Sequence, residues 1–188
     1  MADLTFSVAS PSDAERIQTL LHAAFRADDS RPNWTADPEM NRRFTVDLND
    51  LTAKLGDPDT VYLIAPSSSP GSHELTACIG ITKITLTKDR PSPVTGARLS
   101  HVAIDPTLHR GGLGKRLLEY AEKYSREELG AQVLSLDALS TRIELIEWYH
   151  RRGFRKTGEV VPFPVKLKDG LVLPDDLVFV QFEKELDV

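Results

Sequence analysis

Apolar side chains recur at helical spacing in four stretches of the chain and alternate or cluster as in strands in seven others. Ala14, Ile17, Leu20, Leu21, Ala24 and Phe25 repeat every three or four residues behind Ser12-Asp-Ala-Glu15, which reads as a capping box. Asp37-Pro38 offers an N-cap followed by a first-turn proline. Phe44, Leu48, Leu51 and Leu55 continue as an i, i+4, i+7, i+11 stripe stopped by Gly56, which predicts one helix. Leu113, Leu117, Leu118, Ala121 and Tyr124 mark a third helix ending near Gly130. A fourth opens with Thr141-Arg-Ile-Glu144, a second capping box, and closes at Gly153.

Strands are expected at Leu4–Ala9, Val61–Ala65, Cys78–Leu86, Leu99–Ile104, Val133–Leu139, Arg155–Val161 and Leu177–Phe182. The order β-α-α-β-β-β-α-β-α-β-β predicts one α/β domain over residues 1–188, with a mixed sheet of about seven strands and about four helices. Parallel pairing must fall where a helix intervenes, around the third and fourth helices. Segments 28–36, 66–72 and 87–96 read as loops.

Composition changes this picture mainly by exclusion. Apolar residues are 40% and charged residues 27% of the 188, which excludes a disordered tail, a collagen-like rod and a disulfide scaffold. Twenty-three Lys and Arg against 28 Asp and Glu leave a net charge of −5, so no nucleic-acid partner is expected. Cys78 is the only cysteine and sits in an apolar run, as an inert buried thiol would. The amino terminus lacks a basic stretch followed by an apolar core, and no apolar run approaches a membrane span. A cytoplasmic protein without a membrane partner is expected, and a homodimer is the assembly to test. His22 and His73 fall in no ligand pattern, and no second pair answers Glu147 and His150, so no metal is expected.

The segment richest in chemistry runs from Leu99 to Leu118. A strand ends at Ile104-Asp105-Pro106, and Gly111, Gly112 and Gly114 lead directly into an amphipathic helix. Unpaired amides at a helix start, backed by the positive end of its dipole, suit a phosphate or pyrophosphate. Arg110, Lys115 and Arg116 add positive charge. A P-loop would need glycine at 109 and Ser or Thr at 116, where the chain has His109 and Arg116; a dinucleotide fingerprint would need a small residue at Leu117.

This turn resembles the acyl-CoA-binding motif of the GNAT family of N-acetyltransferases, Gln/Arg-x-x-Gly-x-Gly/Ala, which falls on His109-Arg-Gly-Gly112-Leu-Gly114. Val102-Ala-Ile-Asp-Pro106 is similar to the family's preceding strand. Tyr149-His-Arg-Arg-Gly153-Phe154 resembles its second signature, and the resemblance covers about residues 75–160. His109 stands in place of the usual Gln or Arg, and Arg142 in place of an asparagine seven residues before the tyrosine.

The resemblance implies acetyl transfer from acetyl-CoA (CoA) to a primary amine, with a small-molecule acceptor favoured over a protein amine. The amides of Arg110, Gly111, Gly112, Leu113, Gly114 and Lys115, next to His109, would hold the pyrophosphate. The backbone of Val102, Ala103 and Ile104 would pair with the pantetheine arm, and one amide would polarise the thioester oxygen. Tyr149 would protonate the leaving sulfur. The family's usual base position falls on Arg98 and the next on Ser100, neither an ordinary base. His101 is the candidate base with a pKa expected near neutrality, and Asp137 is comparable. Period-two alternation predicts that His101 and Ser100 point to opposite faces. A non-catalytic acyl-CoA-binding module is the alternative.

Overall fold

A computed structural model describes residues 5–28, 31, 33–34, 37–67, 74–108, 111–164, 173–174 and 176–187. The strands are β1 (Ser7–Val8), β2 (Thr60–Pro66), β3 (Leu75–Leu86), β4 (Val94–Ile104), β5 (Val133–Leu139), β6 (Arg155–Pro162) and β7 (Val178–Glu185). The helices are α1 (Ala14–Arg26), α2 (Pro38–Arg42), α3 (Leu48–Leu55), α4 (Leu113–Glu127) and α5 (Ile143–His150). One seven-stranded sheet has the order β1-β2-β3-β4-β5-β7-β6.

Helices cover both faces of the sheet. On one side α4 and α5 bury Leu117, Leu118, Ala121, Leu145 and Ile146 against Leu63, Ile79, Ile81, Ala97 and Leu99. On the other, α1 and α3 bury Ile17, Leu21 and Leu51 against Tyr62, Ile64, Cys78 and Ala103. A smaller cluster of Leu139, Phe163 and Leu177, joined by Met40 of α2, closes the far end of β5.

Among the described residues one pair of strands is parallel, β4 with β5, joined across α4. The second parallel pair expected across α5 does not form, because β7 lies between β5 and β6 and runs antiparallel to both. The single helix expected from Asp37 to Leu55 is two. Asp37 caps α2 through the amides of Glu39 and Met40, and Asp47 caps α3 through those of Asn49 and Asp50. Two β-branched residues and a strong capping side chain, Thr45-Val46-Asp47, outcompete continuation of the helix. Phe44 leaves the helical stripe and stacks on Phe25 of α1 at 4.4 Å.

Two further expectations shift. The lead-in to α1 lies earlier than Ser12–Glu15: the Ser10 amide donates to the Asp13 carboxylate at 3.0 Å, around a short 3-10 turn. Thr141 does not cap α5. Arg142 holds the cap position without a side-chain bond, and the Glu144 amide donates to the Asn33 carbonyl at 3.3 Å. Of the strand expected over Leu4–Ala9, Leu4 lies outside the described residues and Ser7–Val8 forms β1, and β4 begins at Val94, inside the segment read as a loop.

Asp47 caps α3 through two amides, so Asp47→Ala should lower stability by about 1 kcal/mol. Thermal melts should show a drop of about 2–4 °C. An unchanged melt would mean that packing of Leu48 and Leu51 alone positions α3.

Candidate functional site

Pairing between β4 and β5 covers only Gly96↔Val133, Ala97↔Leu134 and Arg98↔Ser135. Beyond Arg98 the strands part, and Leu99–Ile104 lie on β4's β5-facing edge with no strand alongside. On the other side β4 stays paired to β3. The result is a fork whose one lip presents unpaired backbone groups, the arrangement an extended ligand can complete as an added strand.

Within this lip β4 carries a bulge. Cys78 pairs with Ala103 and Gly80 with Ser100, so Ile79 alone faces the two residues His101 and Val102. His101 takes a positive φ of 50°. The extra residue slips the phase of the strand: Ala97 and Leu99 face the α4/α5 core before it, and Val102 and Ile104 do so after it. The alternation expected for Ser100 and His101 therefore fails, and both side chains meet the Tyr62 ring on the α1/α3 side. Ser100 hydrogen-bonds the Tyr62 hydroxyl, which is bonded in turn to His101 Nδ1 at 2.6 Å. Gly80 makes this possible, since a Cβ there would lie 2.8 Å from Ser100 Oγ and 3.0 Å from the Tyr62 ring.

His101 departs from its expected chemistry. Burial, with the Lys54 charge nearby, pushes its pKa down to about 4, so the ring is neutral at physiological pH and a weak proton acceptor. With Tyr62 protonated its hydroxyl donates to the neutral ring at Nδ1, the order that leaves the imidazole proton on Nε2. Burial raises the Tyr62 pKa, which keeps its hydroxyl a donor. Tyr62 and Gly80 escaped the sequence reading. The one signal was a glycine inside a β-branched strand.

At the other end of the site, Gly112 precedes α4 with φ +73° and nothing within 4 Å of where its Cβ would sit. Among the described residues no side chain caps the helix, so the first amides of α4 have no side-chain partner there. An alanine would fit at Gly114, 3.5 Å from the Trp148 ring, as the motif's Gly/Ala choice implies. Lys115 is exposed and faces Glu119 at 3.5 Å. Val102 and Ile104 are half-buried and Ala103 is buried, so their backbone rather than their side chains borders the fork. His109 and Arg110 lie outside the described residues.

Tyr149 lies in the core: its ring meets Trp148 at 5.1 Å, Phe154 at 5.7 Å and Phe182 at 6.4 Å. Burial raises its pKa, partly offset by Arg142 and Arg152, and keeps the hydroxyl protonated. Arg142, in place of an asparagine, binds the Trp34 carbonyl through Nε at 2.8 Å. Trp34 meets Trp148 edge-on at 6.2 Å, with Arg31 stacked over the first ring and Arg152 over the second. The segment between α1 and α2 is thereby tied to α5 and, through Trp148, to the start of α4. Cys78 is buried, and burial raises its pKa, in line with an inert thiol.

The model of the Acetyltransferase (GNAT) family matches residues 16–154. The chain belongs to this family and is an acetyltransferase with acetyl-CoA as donor. No curated protein matches the sequence. Solved structures share the fold. NAA60 of Arabidopsis thaliana, in complex with a bisubstrate analogue, aligns with a TM-score of 0.69 at 17% identity, covering 97% of this chain and 98% of that one. The ribosomal-protein-S18-alanine N-acetyltransferase of Escherichia coli gives 0.66 at 15% identity, with coverage of 99% and 96%. A chimera of the spermidine N-acetyltransferase SpeG of Vibrio cholerae and hSSAT gives 0.63 at 13%, with coverage of 98% and 96%.

Two predictions follow the geometry. Gly112→Asp should abolish acetyl-CoA binding by calorimetry while the protein stays folded, because aspartate tolerates a positive φ and the space is open. Its carboxylate would oppose the pyrophosphate, and unchanged affinity would move the cofactor site elsewhere. His101 is neutral when folded and has an ordinary pKa when unfolded, so stability is full above about pH 6.5 and falls from there to about pH 4, where the unfolded chain takes up a proton that the folded ring does not. Between pH 7 and pH 5 this costs about 2 kcal/mol, a loss that should vanish in His101→Asn, which also suits the positive φ. Equal pH slopes in denaturant melts of both proteins would refute the buried neutral ring.

Proposed function

We propose that the protein transfers the acetyl group of acetyl-CoA to the primary amine of a small molecule by direct attack. The observation that carries this reading is the fork: β4 loses its neighbour at Arg98, and its free edge runs toward the uncapped amides of α4. Acetyl-CoA supplies an acyl carbon activated as a thioester. The amides of Gly111 to Lys115, with Arg110 beside them, hold its pyrophosphate. The β4 backbone from Val102 to Ile104 fixes the arm, and one of its amides polarises the acyl oxygen. Tyr149 keeps its proton at neutral pH and gives it to the departing sulfur. In place of a base role, His101 holds Tyr62 and Ser100 and keeps the bulge in shape.

A pocket of about 210 Å³ lies at the paired end of β4 and β5, lined by Leu86, Lys88, Arg98, Ser135, Thr157 and Glu183, a size that suits a small amine. The related folds include both protein and spermidine acetyltransferases. A cationic Arg98 at the family's usual base position favours the second reading, a module that binds acyl-CoA without turnover. Release of free CoA in the presence of amines separates them. Turnover on aliphatic amines supports the first reading, turnover on peptide amino termini alone moves the acceptor to proteins, and binding without turnover supports the module.

Tyr149→Phe tests the acid. Turnover should fall by roughly 10²- to 10⁴-fold with little change in acetyl-CoA affinity. The melting temperature should hold, because the hydroxyl makes no hydrogen bond among the described residues. Full turnover in this variant would leave protonation of sulfur to solvent.

A further inference from the structure

We propose that Arg90, on the hairpin between β3 and β4, is a positioning residue for the fork: it straps the two halves of the sheet together and fixes where β4 and β5 part. The proposal rests on the reading of the fork as the acetyl-CoA site and adds what holds the fork in shape.

The sheet divides at the β4–β5 pair into β1-β2-β3-β4 and β5-β7-β6. Inside the halves pairing is long: β3 follows β4 from Leu86↔Val94 to Ala77↔Ile104, and β5 follows β7 from Val133↔Glu185 to Leu139↔Phe179. Between the halves, among the described residues, it is confined to Gly96↔Val133, Ala97↔Leu134 and Arg98↔Ser135. A parallel seam this short is the weakest line in the sheet.

Arg90 crosses that seam. Its Nη2 donates to Glu183 at 2.7 Å and its Nη1 to Glu185 at 3.1 Å, both on β7. The two glutamates stand two residues apart on one strand, so they share a face and match the two arms of one guanidinium. β7 lies two strands beyond β4, about 10 Å away at ordinary strand spacing, so the hairpin passes β5 to reach the far half. It lands at the root of the fork. Arg98, Ser135, Glu183 and Arg155 are successive register partners across β4, β5, β7 and β6, and Arg98↔Ser135 is the last pair before the strands separate.

The hairpin is built to aim this side chain. Asp89 takes a φ of 55°, and Pro91 and Pro93 follow with φ set by their rings. The other residues from Thr87 to Pro93 are exposed, yet the Arg90 side chain is only 16% exposed. A long cation at a hairpin tip ordinarily extends into water. Here it is folded down onto two carboxylates, where salt screens it less than an open surface pair. Lys88 of the same hairpin adds a more exposed pair to Glu159 of β6.

The test compares wild type with Arg90→Met, Arg90→Lys and Glu183→Gln by hydrogen exchange and calorimetry. In Arg90→Met, exchange at residues 96–98 and 133–135 should quicken at least about fivefold. Residues 61–65 of β2 and 178–180 of β7, each paired within one half, should not change. Arg90→Lys carries a single point charge and should fall between wild type and Arg90→Met. Adding Glu183→Gln to Arg90→Met should change little more, because both remove one interaction. Acetyl-CoA affinity should drop about fivefold in Arg90→Met, and saturating acetyl-CoA should return its seam to within about twofold of wild-type exchange, since ligand and strap favour one arrangement. Equal quickening in both halves would make Arg90 an ordinary stability contact and overturn the proposal. So would an unchanged seam, additive single variants, or a loosened seam with unaltered acetyl-CoA affinity. Failure of the wild type to bind acetyl-CoA would strike the fork reading instead, while seam exchange in the free protein still tests the strap.

Discussion

One inserted residue in β4 sets the geometry of the whole site. His101 sits in the left-handed region opposite Ile79, and the strand beyond it is shifted by one in phase. Because of that shift, Ser100 and His101 both reach Tyr62, Val102 and Ile104 return to the α4/α5 core, and β4 can bend away from β5 without leaving β3. A left-handed residue other than glycine costs free energy. Here the Tyr62 hydrogen bond and the room made by Gly80 offset it. A plain alternating strand would stay flat against β5 and have no edge to offer.

The two ends of the fork are built differently because they do different work. The α4 end is backbone: an uncapped helix start, a glycine that needs its positive φ, and open space in front of it. The floor is side chains, with an ion pair across the point of separation and buried oxygens left over. Between them stands the Trp34–Trp148 contact, held on each side by an arginine and anchored by Arg142. Each cation–π contact contributes about 0.5–2 kcal/mol. Arg31 and Trp34, between α1 and α2, are therefore coupled through Trp148 to the helix whose start would hold the pyrophosphate.

Much of this was legible in the chain itself. The strand order, the α4 stripe and the glycine turn rest on local patterns, and local patterns survive folding. The misses share a cause, which is that a tertiary partner decided the outcome. Thr141 looks like a cap until the Asn33 carbonyl takes the Glu144 amide. Phe44 fits a helical stripe until Phe25 offers it a ring. The pKa of His101 looked useful for a base until burial beside Lys54 lowered it. The bulge has no local signature beyond Gly80, which lies on a different strand, and the insertion of β7 between β5 and β6 depends on contacts far apart in sequence.

The central claim is that the open edge of β4 and the start of α4 form one continuous binding surface. Hydrogen exchange of the protein with and without acetyl-CoA measures it directly. Slowed exchange should appear together in residues 99–104 and 111–116, with paired segments such as β2 unchanged. Protection confined to the α4 start, with the β4 edge exchanging as in the free protein, would contradict the account.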